Sequence, residues 1–225
     1  MKKYLFLAIA GLIMAATQVS AQISVEASYE NSRYRQQYNN DVEWGDPLQG
    51  FGVGAYYNIN LFCNDLHAFS IQPGLKYSYV TFREVEEEGQ VSMKMSLNQH
   101  YLNVPIRFQY ALQVMPGLRV LAFAAPNFSL GLSNTINLDI IGEEVGFNLY
   151  TGEVTGTLPL VGDVGEYLQF NMRRFDVSAQ VGLGVEIMDR YEIRGGYDFG
   201  LVNLMPDTSY STTRNNFFVG VGFRF

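Results

Sequence analysis

Eight runs of alternating apolar and polar residues, connections that alternate short and long, and a final apolar strand together predict an all-β protein. They specify an eight-stranded antiparallel up-and-down transmembrane β-barrel, with long extracellular loops and short periplasmic turns. Period-two alternation would then turn one face of each strand to lipid and the other to the lumen.

The first run, "ISVEASYE", sets Ile23, Val25, Ala27 and Tyr29 against Ser24, Glu26, Ser28 and Glu30. The second, "GFGVGAYYNI", sets Phe51, Val53, Ala55, Tyr57 and Ile59 against glycines, Tyr56 and Asn58. In "FSIQPGLKYSYVTF", Phe69, Ile71, Leu75, Tyr77 and Tyr79 alternate with Ser70, Gln72, Lys76 and Ser78. "YLNVPIRFQY" opposes Leu102, Val104, Ile106, Phe108 and Tyr110 to Asn103, Arg107 and Gln109. The fifth run, "LRVLAFAAPNFSLGL", is apolar on both faces, so its direction stays open. The sixth, "FDVSAQVGLGVEI", places Asp176, Ser178, Gln180 and Glu186 with two glycines on its polar side. The seventh, "YEIRGGYDFGL", opposes Tyr191, Ile193, Tyr197, Phe199 and Leu201 to Glu192, Arg194, Gly196 and Asp198. The last sets Phe217, Val219, Val221, Phe223 and Phe225 against Asn216, Gly220, Gly222 and Arg224.

Runs of roughly 8–14 residues are long enough for a tilted strand to cross a bilayer. Short connections follow the second ("NLFCND"), fourth ("LQVMPG") and sixth ("MDR") runs. Long ones are expected at about 31–48, 83–96, 133–167 and 202–214. A soluble lipocalin-like barrel or sandwich would show the same alternation. Three features favour the membrane. Aromatics gather at strand ends, as interface girdles do: Tyr29, Tyr57, Tyr79, Tyr101, Tyr110, Tyr191 and Phe225. The polar face is rich in glycine, which suits a crowded lumen. A terminal strand paired with the first leaves no exposed edge.

The start, "MKKYLFLAIAGLIMAATQVSAQ", has a basic head, an apolar run and a small-residue Val19-Ser20-Ala21 end. Residues 1–21 are therefore expected to be a cleaved signal peptide, and 22–225 the barrel domain. Losing Lys2 and Lys3 would take the formal charge from -7 to -9, which argues against a nucleic-acid partner. The single cysteine, Cys63, excludes an internal disulfide and a multi-cysteine metal site. No further run is apolar enough for a membrane helix, yet 14% of the chain is aromatic and only 16% charged.

The strands "YLNVPIRFQY", "VGLGVEI", "RGGYDFGLVNL" and "GVGFRF" resemble the PorT-like outer-membrane β-barrel family of Bacteroidota across essentially the whole mature chain. In that family a Tyr-Leu-x-x-Pro strand, a Gly-rich sixth strand, an Arg-x-x-Tyr-x-x-Gly-Leu seventh strand and a C-terminal aromatic recur. The resemblance implies export, residence in the bacterial outer membrane, and assembly by the barrel machinery reading the terminal strand. It thereby marks Phe223 and Phe225 as the assembly signal. The named member belongs to a protein-secretion apparatus, but a fold does not itself imply a function.

Catalytic chemistry finds little support. His67 and His100 are expected at opposite membrane faces, and the positions two residues from His100 are Asn98 and Leu102, not a serine nucleophile. The carboxylates Glu84, Glu86, Glu87 and Glu88 read as a solvated hairpin tip, with divalent-cation bridging to lipopolysaccharide as the sharper alternative. No catalytic, cofactor or metal site is assigned. The lumen face carries Glu26, Lys76, Arg107, Asp176, Glu186, Glu192, Arg194, Asp198 and Arg224, both signs in a space only wide enough for side chains. These are expected to pair and plug the barrel; a narrow ion path is the alternative. Loops 31–48 and 133–167 are the expected protein-binding surface, with outer-membrane lipid and lipopolysaccharide as surroundings. Loop 133–167 has an alternation of its own, expected to continue strands five and six as a hairpin above the membrane; two further staves would make ten. The functional expectation is a structural or interaction protein, set against a small channel or a loop-based lipid-modifying enzyme.

Overall fold

The computed structural model describes residues 23–39, 41–88, 91–140, 143–156, 172–205 and 210–225. The expected signal peptide lies outside them. Strands follow one another as β1 (Ile23–Tyr38), β2 (Asp41–Trp44), β3 (Leu48–Tyr57), β4 (Ile59–Cys63), β5 (His67–Glu88), β6 (Val91–Met115), β7 (Leu118–Ile140), β8 (Glu143–Asn148), β9 (Val154–Thr155), β10 (Phe175–Ile187), β11 (Tyr191–Gly200) and β12 (Ser211–Arg224). Eight of them close a ring in the order β10-β11-β12-β1-β3-β5-β6-β7, and β7 returns to β10. The terminal strand lies along β1 from Ser24↔Arg224 to Gln37↔Ser211, so it is the closing stave.

Alternation sorts the side chains as expected of a barrel in lipid. Phe51, Leu75, Phe108, Leu130, Leu183 and Val221 point out and are exposed, while Ser24, Ser28, Gln72, Asn103 and Gln180 point in and are buried. Such an apolar exterior would be costly in water, at about 25 cal/mol per Å². In lipid that cost vanishes. The expected girdle residues Tyr29, Tyr57, Tyr110, Tyr191 and Phe225 are outward and exposed. Tyr101 is not among them: it shares the parity of Asn103 and Arg107 and is buried in the lumen.

The direction left open for the fifth run is set by its pairing with β6 and β10, and a bulge reverses it above. Tyr101 pairs with Gly131 and His100 with Ser133, which leaves Leu132 as the extra residue in β7. Below the bulge Leu121, Phe123, Ala125, Asn127 and Ser129 face in; above it the parity flips and Asn134 faces in. One extra residue in a ladder has this consequence because the side-chain period is two.

Three of the long connections are largely strand among the described residues. In 83–96, β5 and β6 run on as a hairpin to Glu88↔Val91. In 31–48, β1 continues to Tyr38 and folds back on itself through β2. In 133–167, β7 continues to Ile140 and pairs with β8, which pairs with β9. Within the band β10 pairs directly with β7 from Phe175↔Leu130 to Ile187↔Leu118, so the barrel has eight staves and not ten. The hairpin extends β7 alone, not β7 and β10 as expected, because β8 takes the place above β10. Strand β6, at 25 residues, rises roughly 65 Å at a tilt of about 40°, against an apolar band of about 25 Å. The surplus stands outside the membrane as a β5–β6–β7–β8–β9 sheet. On the short-turn side, "NLFCND" is partly strand too, since β4 pairs with the base of β5.

Candidate functional site

The lumen holds the chain's buried charge, in tiers. At the periplasmic end Arg224 bridges Glu186, at 2.7 Å, and Glu192. Arg194 bonds Glu192 at 2.6 Å and donates to Gln72 Oε1 at 2.9 Å. Arg119 pairs with Glu186 and Asp189, both at 3.0 Å, and so ties the rim to the same cluster.

At mid-height Arg107, wholly buried, donates to both oxygens of Glu26, at 2.8 and 3.0 Å. It also donates to Gln180 Oε1 at 3.1 Å and to the Tyr56 hydroxyl at 3.0 Å. Its guanidinium lies 4.1 Å from the Tyr56 ring centre and 5.2 Å from that of Phe123. Phe218, fully buried, sits under Lys76 at 4.8 Å. Glycine makes room for these rings: a Cβ on Gly182 would stand 2.2 Å from Phe123 Cζ.

Above them Lys76 pairs with Glu30 at 2.6 Å, and Glu30 accepts from Ser78 at 2.9 Å. Asp198 accepts from the amides of Gln180 and Asn216, at 2.7 and 3.1 Å. Beside these groups the described side chains leave a cavity of about 10 Å³, room for about one water.

The top tier turns apolar. Arg214 donates to Asp176 at 3.2 Å and stacks 3.8 Å from the Tyr101 ring centre. Gln99 donates to the Tyr34 hydroxyl at 2.6 Å and to Asn134 at 3.1 Å. Over this lies a lid of Leu149, Tyr150, Met172 and Leu204, packed on Tyr34, Leu97 and Ile136. Tyr150 rests on the bulged strand, where a Cβ on Gly131 would come 1.8 Å from its hydroxyl. Burial, with Tyr101 nearby, raises the phenol pKa of Tyr150 above the ordinary value.

All nine charged residues read from the sequence as lumen-facing lie on the lumen side, eight buried and Arg224 partly covered. Contacts join eight of them to a charged partner; Asp198 bonds amides instead. Missed were Glu30, Tyr56, Phe123, Phe218 and Arg214. Glu30, Tyr56 and Phe218 have lumen parity and could have been counted; Phe123 could not, because its run is apolar on both faces. Arg214 could not, because 202–214 read as loop whereas β12 begins at Ser211.

The histidines sit apart and on the outside. His67 Nδ1 meets the Tyr110 hydroxyl at 2.6 Å and His100 Nδ1 the Tyr77 hydroxyl at 2.6 Å. His100 lies within β6, which starts at Val91. Among the described residues no group of three or more His, Cys, Asp or Glu is placed to hold a metal ion. Glu84 is exposed, and the side chains of Glu86, Glu87 and Glu88 lie outside the described set.

The sequence profile of the outer membrane protein beta-barrel domain matches residues 16–205. Comparison with curated proteins gives no match. Solved structures with similar strand layout include Ail, the attachment invasion locus protein of Yersinia pestis, in complex with the heparin analogue sucrose octasulfate. It has 11% identity, coverage of 91% of this chain and 99% of that one, and a TM-score of 0.40. The outer membrane enzyme PagL matches at 8% identity, with 87% and 97% coverage and a TM-score of 0.46. The outer membrane protease OmpT of Escherichia coli matches at 8% identity, with 92% and 99% coverage and a TM-score of 0.44.

Proposed function

The chain belongs to the outer membrane protein beta-barrel domain family and so resides in the bacterial outer membrane, and from that premise we propose a non-enzymatic, non-conducting barrel that works through its extracellular sheet. The observation that carries this is the division of the molecule into a filled lumen and a projecting sheet. A lumen packed with paired ions and aromatics, under an apolar lid, offers ions no continuous aqueous path. The strand length beyond the bilayer is useful only outside it. The β1–β2 hairpin presents Tyr38 and Trp44 exposed, residue types that anchor protein interfaces.

The finer placement among PorT-like members, export by a cleaved signal peptide, and a role as a subunit of a secretion or surface-assembly apparatus rest on the motifs of the sequence. Purification from the native outer membrane in gentle detergent is expected to bring down a stoichiometric protein partner, lost on Trp44→Ala. A solitary barrel would sink the reading. In planar bilayers no stable single-channel current is expected; reproducible, sized currents would overturn the closed lumen.

Phe223 and Phe225 fit the proposed assembly role. Phe225 N donates to Ile23 O at 3.0 Å, and the Phe223 ring meets Tyr191 and Phe225 edge-on, at 5.4 and 5.2 Å. Deleting Phe225 is expected to lower the amount of folded barrel in outer-membrane fractions several-fold, read by heat-modifiable gel mobility. Unchanged amounts would show that the terminal ring is not read.

A further inference from the structure

The cations of this chain are sorted by place. Those of the lumen are matched with carboxylates: Lys76, Arg107, Arg194, Arg214 and Arg224 each have one within 3.2 Å or closer. Four arginines at the extracellular rim are not so matched. Arg33, Arg35, Arg83 and Arg173 have no ion-pair partner among the described residues, although acidic residues outnumber basic ones 22 to 15. The rim's other cations are engaged, Lys94 with Asp139 at 3.4 Å and Arg174 over the Tyr150 ring at 5.2 Å. An acidic chain that leaves arginines unmatched at one level is placing positive charge toward something outside itself.

That level is defined by the outer face. On β1 the outward parity reads Val25, Ala27, Tyr29, Asn31, Arg33, Arg35, so the two arginines follow directly on the apolar band. Arg33 is level in register with Asn215 on the neighbouring stave β12, two residues above the outward Phe217. Tyr197 pairs with Phe217 and packs on Phe199 at 4.6 Å between ring centres, which makes an aromatic shelf beneath. Arg173, exposed, stands on the same flank just above the outward Phe175 at the top of β10. The described carboxylates of these staves, Glu26, Glu30, Asp176, Glu186, Glu192 and Asp198, all face the lumen, so the described outer side carries only positive charge there.

We propose that this flank, Arg33, Arg35 and Arg173 over the Tyr197–Phe199–Phe217 shelf, seats the phosphorylated headgroup of an outer-leaflet glycolipid. Guanidinium groups at the interface bind phosphate by charge-assisted hydrogen bonds, and the shelf takes the start of the acyl chains. The site rests on the outer-membrane reading, with the long hairpins outward, and is independent of any protein partner.

The test is native mass spectrometry of the full barrel released from nanodiscs that contain zwitterionic phospholipid and a small fraction of lipid A. Phosphorylated lipid A is expected to stay bound in preference to the same lipid A after enzymatic dephosphorylation. Arg33→Gln/Arg35→Gln/Arg173→Gln should weaken retention roughly fivefold per arginine, about a hundredfold in all. Arg190→Gln at the periplasmic rim should leave retention unchanged. Millimolar inorganic phosphate should not displace the lipid; if it does, the site is a free-phosphate site and the proposal fails. Equal retention of the dephosphorylated lipid by the wild-type barrel overturns it without any variant. Were the triple variant to misassemble, that wild-type comparison and Arg33→Gln alone decide. A wild-type barrel that shows no lipid preference while protein capture stays intact would refute this site and leave the proposed interaction role standing.

Discussion

Arg107→Met is expected to destabilise the barrel by about 3–5 kcal/mol, the cost of leaving a buried ion without its partner. Methionine keeps much of the volume, so the loss is mainly electrostatic. Glu26 would retain its buried carboxylate with both Arg107 donors gone, and Gln180 and the Tyr56 hydroxyl would each lose one. Denaturant unfolding of the refolded barrel in detergent, followed by tryptophan fluorescence or gel mobility, reads the effect. The double variant Glu26→Gln/Arg107→Met separates pairing from packing, because it removes both charges at once. It should recover most of the loss, since replacing a buried pair by neutral groups is often close to neutral. If Arg107→Met alone matched wild type, the mid-lumen pair would not hold the staves together.

Gly50→Ala is the second large effect, and it needs only one methyl group. Gly50 lies opposite Val80 where β3 meets β5, and a Cβ there would stand 1.8 Å from the Tyr79 carbonyl oxygen and 2.7 Å from Val80 Cα. Both obstacles are backbone, so no rotamer change relieves the clash, and the two staves must part. Overpacking typically costs 1–3 kcal/mol, and here the upper end or more is expected. Loss of the heat-modifiable folded band after refolding would report it. Gly195→Ala is the matched control: nothing lies closer than 3.7 Å to its Cβ, so it should be near neutral. Equal behaviour of the two variants would mean that β3 and β5 do not approach as closely as described.

The polar set of seven of the eight runs was legible as one face, and in a barrel that closes on itself such a face can only be the inside. Glu26, Arg107 and Arg194 were therefore named from parity alone, before any distance was known. Tyr101 and Phe218 carried the same parity, but Tyr101 was read as girdle and Phe218 was not assigned to a face. Parity says which side a ring is on, whatever its chemistry. The extent of β5, β6 and β7 beyond the membrane was not legible. Polar, acidic hairpin segments such as 83–88 look like loop until the ladder pairs them.

Sequence alone determined the antiparallel meander, the inward polar face and the closing role of the last strand; the direct pairing of β10 with β7 decided eight staves over ten. The properties set by sequence follow from a period of two and from the need to pair every backbone group in lipid, both local rules. Which charges meet was decided only in three dimensions. Arg107 reaches Glu26 across 81 residues of chain, and Arg194 reaches Gln72 across 122. The bulge at Leu132 and the lid over the mouth were likewise settled only by the closed ring. So was the gathering of Arg33, Arg35 and Arg173 on one flank. Each depends on the register in which staves meet around a circle, and no window of sequence contains that register.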